Sequence, residues 1–114
     1  MTRSRPVRAL SVRQPFAEQI MAGTKRFEYR SIRTNIRERV YVYASMTRSD
    51  AQAWKNSGHA EGTLPTGVLI GTVEVTGCFS RKSGYAWKLE NPARATRKLR
   101  PTHRPQPVWF KPFG

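Results

Sequence analysis

Cysteine is almost absent from this chain. Cys78 is the only one among 114 residues, so no disulfide can form within it. Histidine is scarce as well. His59 and His103 lie far apart, and with one thiol they make a poor zinc set, because structural zinc wants four ligands at recognisable spacing. No metal and no cofactor are therefore expected. Cys78 sits in a strand-like run and reads as core, with a nucleophile beside a base as the alternative. No apolar stretch approaches the roughly 18 residues that a membrane span needs. No signal-peptide hydrophobic region follows the basic start MTRSRPVRAL. The expectation is a cytoplasmic protein that does not enter a membrane. Acidic residues are the last shortage: seven, against twenty-one Lys and Arg, for a net charge of +14.

That imbalance is the most informative feature of the composition. Self-repulsion of this size disfavours compaction, and a polyanion relieves it. Most of the cations are Arg, whose guanidinium fork matches phosphate oxygens and base edges and stacks on bases. Nucleic acid, RNA or DNA, is the expected partner. An acidic protein partner is the other class. The cations are uneven: ten fall before Val40, nine from Arg81 onward, and only Arg48 and Lys55 lie between. The middle reads as core sheet and loop, and the two ends as suppliers of a basic face.

The length suggests one domain spanning residues 1–114, with residues 1–6 a flexible basic terminus. Twelve aromatic residues, three Trp, four Tyr and five Phe, argue for a real core. Val7–Val12 reads as a first strand. Pro15 suits the start of a helix through FAEQIMAG, about two turns long, with Gly23 as its stop. KRFEYR alternates, placing Phe27 and Tyr29 on one side and Arg26, Glu28 and Arg30 on the other. Lys25 joins Glu28 only if it sits in the turn after Gly23 and swings round. ERVYVYAS is the clearest strand, with Val40 and Val42 opposite Tyr41 and Tyr43. A second helix is expected over Met46–Asn56, capped by Thr47 or Ser49. A loop follows, then a long strand VLIGTVEVTGCF kinked at Gly71. YAWKLEN makes another strand, the basic proline-bearing segment 93–107 can open as a strand and then becomes loop, and VWFKPF is a short edge strand broken by Pro112. Six or seven strands with two or three short helices give a mixed α/β, mainly β fold, a small and partly closed barrel.

The stretch LSVRQPFAEQIMAGTKRFEYRS resembles the signature of ASCH domains, a group with a PUA-like β-barrel. The matching positions are Gln14, Pro15, Phe16 and Ala17, then Gly23, Lys25, Glu28 and Arg30. VYVYAS, LPTGVLIGTVEV and YAWKLENP resemble later segments in the same order. The resemblance implies a PUA-like barrel with the first helix capping one end and a cleft beside the motif strand. It also implies RNA binding, with DNA binding or hydrolysis of nucleic acid in some members. One branch is similar to amidohydrolases acting on N4-acetylcytidine, and others are ribonucleases. The amidohydrolase branch carries a threonine hydroxyl where this chain has Glu28.

The candidate nucleic-acid-binding residues are Ser11, Arg13, Gln14, Lys25, Glu28, Arg30, Ser45 and Trp109. Lys25 and Glu28 double as the catalytic pair if the protein is an enzyme. Glu28 can accept from a base amino group, Arg30 can bind phosphate or a base carbonyl, and Lys25 can hold phosphate. Ser11, Arg13 and Gln14 stand at the strand–helix junction, and Ser45 ends the Tyr-rich strand. Trp109 is the candidate base-stacking platform, whereas Trp87 reads as core. The competing reading of the Lys25, Glu28 and Arg30 group is a solvated strand face. A ribonuclease would need an acid–base pair near the phosphate, for which His59, His103, Lys25 and Glu28 are the candidate suppliers.

Overall fold

The computed structural model describes residues 5–114, so most of the expected flexible terminus lies outside the described residues. The element order is β1 (Ala9–Arg13), α1 (Phe16–Ala22), β2 (Phe27–Arg30), β3 (Arg39–Ser45), α2 (Ala51–Ser57), β4 (Val68–Arg81), β5 (Gly84–Leu99) and β6 (Trp109–Phe110). All strands join one six-stranded sheet in the order β2-β5-β4-β3-β1-β6, and only the β1–β3 pair is parallel. No helix among the described residues is long and apolar enough to cross a membrane.

The mixed, mainly β architecture is as expected, but the hydrogen-bonded ladder does not close into a barrel. β2 and β6 stand at opposite ends of the order. β6 is only two residues long, and the prolines at 107 and 112 that flank it have no amide to donate. Side chains span the gap instead. Arg30 Nη2 on β2 donates to the carbonyl of Ser11 on β1 at 2.7 Å. Trp87 on β5 stacks on Trp109 of β6, with ring centres 5.6 Å apart and planes 6° from parallel.

Both faces of β3 are buried, which its VYVYA run requires. Val40, Val42 and Ala44 enter the main core with Leu10, Val12, Trp87 and the α1 residues Ala17, Ile20 and Met21. Tyr41 and Tyr43 face a smaller cluster with Ala9, Leu69 and Phe110. β4 shifts register between Leu69 and Gly71. A Cβ at Gly71 would collide with the Ala93 carbonyl and the Met21 sulfur, so this glycine lets α1 settle on the sheet.

α1 ends as its sequence dictates: Gly23 takes the left-handed conformation at φ 81° and its amide returns to the helix. α2 starts later than expected. Its cap is Asp50, which accepts from the Ala53 amide at 2.8 Å, and not Thr47 or Ser49. The Thr47 amide is already committed to Ser45 Oγ at 3.1 Å, which holds that stretch in a turn.

Arg94 on β5 grips Glu18 on α1 through both terminal guanidinium nitrogens, with Nη1 donating to Oε1 at 2.8 Å and Nη2 to Oε2. Those hydrogen bonds hold the Glu18 carboxyl below its ordinary value despite partial burial, with the positive fields of Arg94 and His59 adding to the effect. A lowered folded pKa stabilises the fold above the ordinary carboxylate range, and that contribution is lost as pH falls through the lowered value. Glu18→Gln is therefore expected to flatten the acid side of the melting temperature against pH profile. Wild type and variant should converge at the acid end; parallel profiles would refute the linkage.

Candidate functional site

A cleft of about 860 Å3 opens beside α1. β1 supplies Ser11 and Arg13, β2 supplies Glu28, Tyr29 and Arg30, and the end of β3 supplies Tyr43 and Ser45. Phe16 and Lys25 come from the two ends of the α1 unit. A C-terminal strap, residues 104–108, forms the opposite wall. The strap is laced to β1: Ser11 Oγ donates to the Gln106 carbonyl at 2.6 Å, and the Ser11 amide to Val108 O at 2.9 Å. Val108 adopts φ 66° where the strap turns into β6, a conformation that β-branched residues avoid.

Glu28 is the centre of the wall, 8% exposed. Lys25 Nζ lies 3.4 Å from one carboxylate oxygen, and Arg30 Nε donates to the other at 2.8 Å. Lys25 reaches it because it precedes β2, in the turn after Gly23, with its amide bonded to Gln19 O at 3.0 Å. Its ammonium also sits 5.2 Å from the Phe16 ring centre and 5.0 Å from that of Tyr29. The Arg30 guanidinium lies 5.7 Å from the Trp87 ring. These groups hold one another in a packed assembly, not on an open strand face. Oε2 takes both close guanidinium nitrogens of Arg30, so Oε1, with Lys25 at 3.4 Å, is the oxygen with acceptor capacity to spare.

The charge balance extends through the molecule. Glu18, Glu38, Glu61, Glu74 and Glu90 pair with Arg94, Arg8, Arg48, Arg39 and Lys88. Asp50 caps α2. Every carboxylate is thus committed, while Arg13 and Arg104 in the cleft wall have no ion-pair partner among the described residues. Tyr43 adds a neutral phenol, since burial pushes its pKa up.

A family model, ASCH domain, matches residues 10–108. The chain belongs to the ASCH domain family. A comparison with curated proteins finds no match. The matched span runs from the second residue of β1 to the strap, so it contains both walls of the cleft.

Of the expected site residues, this ASCH domain brings Ser11, Arg13, Lys25, Glu28, Arg30 and Ser45 together around the cleft. Gln14 and Trp109 do not line it. Gln14 is 1% exposed; its amide donates to Pro65 O at 2.9 Å and its oxygen accepts from the Glu18 amide at 2.9 Å. It fastens the start of α1 to the loop before β4. Trp109 is half-buried against Trp87, which removes one ring face from any base. The sequence reading missed Tyr43, Met46 and the strap. Only the strap left a signal there, as a basic, proline-rich run without periodicity.

Two hydroxyls close to the motif, those of Thr24 and Ser11, are engaged by backbone carbonyls. Thr24 Oγ1 donates to Gln19 O at 3.2 Å, and Ser11 Oγ to the strap. His59 and His103 do not line the cleft, and His103 Nδ1 lies 3.2 Å from Lys111 O.

Proposed function

We propose that this domain binds nucleic acid through the cleft, RNA in preference to DNA, taking up an extruded or modified base. The observation that carries the reading is the lining itself: Arg13 and Arg104, with no ion-pair partner among the described residues, share a nucleotide-sized cleft with a buried Glu28 that Lys25 and Arg30 hold in place. The arginines meet phosphate, and Glu28 accepts from an exocyclic amine. Ser45, Thr47 and Gln106 supply neutral polar groups suited to a ribose hydroxyl. The family supports the same partner. A hydrolase finds less support, because the hydroxyls of Thr24 and Ser11 are bonded to backbone carbonyls and Glu28 is already paired with two cations.

Titration of labelled RNA and DNA oligonucleotides tests this. Arg13→Ala combined with Arg104→Ala should weaken RNA binding roughly tenfold or more, the scale of lost charge-assisted hydrogen bonds. Both side chains are exposed, so the fold should persist. Undiminished binding by the double variant would refute the cleft as the interface. Incubation with N4-acetylcytidine should return the nucleoside unchanged; deacetylation would establish the hydrolase instead.

A further inference from the structure

The outer face of β2, β5 and β4 carries a second arrangement that the cleft does not use. Register places Tyr29 opposite Ala86 and Ala86 opposite Phe79, so the two rings flank one small residue in a single row. Each ring is 54% exposed. In the next row Phe27 pairs with Lys88, which pairs with Gly77. A Cβ at Gly77 would lie 2.9 Å from the Phe79 ring, so that ring lies down over the glycine. Phe27 and Tyr29 are near parallel, with centres 6.5 Å apart. The Arg81 guanidinium lies 4.2 Å from the Tyr29 ring centre, and Arg81 has no ion-pair partner among the described residues. Lys88 stands 3.9 Å from Glu90, whose register partner on β4, Glu74, is paired with Arg39.

We propose that this face is a stacking platform for a single-stranded stretch of nucleic acid running on from the cleft. The proposal rests on the nucleic-acid reading above and extends it to a second surface and to strandedness. Two observations select the occupant. Tyr29 belongs to both surfaces, since it lines the cleft and stands in the outer row, so a chain leaving the cleft passes onto the platform. The exposed rings are bordered by cations, with Arg81 across Tyr29 and Arg26 and Lys82 exposed nearby, which matches bases on a phosphate chain. Rings lying along a sheet face meet only unstacked bases, which a duplex does not offer.

The test uses a labelled single-stranded oligouridylate and a hairpin of equal length, titrated at several salt concentrations. Phe79→Ala should lower single-strand affinity about 5- to 100-fold while leaving the slope against log salt unchanged, because a stacking contact is lost and no phosphate contact is. Phe79→Leu, which keeps apolar bulk and so protects the fold, should lose affinity too, whereas Phe79→Trp should retain it. Arg81→Ala should lower the affinity and make the slope shallower by about one phosphate contact. Wild-type single-strand affinity in both Phe79→Ala and Phe79→Leu, with Arg13→Ala still impaired, would overturn the platform, leave the cleft reading standing and give the patch to a protein partner. Equal losses on strand and hairpin would overturn the strandedness. A wild-type protein that binds neither probe would overturn both readings.

Discussion

Glu28→Ala is expected to lower the stability of this domain by about 3–5 kcal/mol, the usual consequence of removing one partner from a buried charge pair. The side chains concerned are shielded: Glu28 is 10% exposed, Lys25 15% and Arg30 19%. Without the carboxylate, two cations face each other across a poorly hydrated gap, and the Phe16, Tyr29 and Trp87 rings offset little of that repulsion. Arg30 also ties β2 to β1 where no backbone ladder does, so its displacement loosens the sheet's curl. Urea unfolding followed by circular dichroism measures the loss. Adding Lys25→Met to Glu28→Ala should recover part of it, since one stranded charge disappears. A midpoint within about 0.5 kcal/mol of wild type, the range of ordinary surface substitutions, would return the group to a solvated strand face.

Local signals in the sequence carried local structure well. The Pro15 and Gly23 boundaries of α1 follow from interactions within a few residues, whereas the burial of both faces of β3 comes from residues distant in the chain. Asn91-Pro92 shows how such a signal misleads. It reads as the end of a strand, yet β5 continues to Leu99. Asn91 takes φ 53° and the ladder with β4 shifts register there, so the proline sits in a bulge where no amide is needed. Trp109 and Gln14 fail for a different reason. A broken edge strand predicts exposure for Trp109, but the sheet's curl brings Trp87 against it. The Gln14 position matches the family motif, while its buried amide has a packing duty that no spacing reveals. The β1 and β2 part of the cleft was legible because only thirteen residues of turn and helix, 14–26, connect the two strands of a compact motif. The strap was not, because its contacts with Ser11 bridge about ninety-five positions of chain.

Affinity for a single-stranded oligonucleotide is expected to fall about fifty- to three-hundred-fold when salt rises fourfold, from about 50 to 200 mM. The reasoning starts from which cations are free. All seven Asp and Glu already have partners, and most of the Lys and Arg among the described residues have no ion-pair partner there. Among the described residues Arg13 and Arg104 in the cleft wall have no acidic partner, nor does Arg81 on the outer face, while Lys25 and Arg30 share one carboxylate and keep part of their charge for a ligand. Four to six phosphates neutralised on a single strand, at a slope of about −0.7 each, give that range. Stacking on Tyr29 and Phe79 adds affinity that salt does not screen, so a residual interaction should survive at high salt. The two contributions separate cleanly: Arg13→Ala with Arg104→Ala should make the slope shallower, and Phe79→Ala should lower the high-salt plateau. A salt response that is flat in the wild-type protein would remove phosphate neutralisation as the source of affinity, and with it the argument from the free arginines.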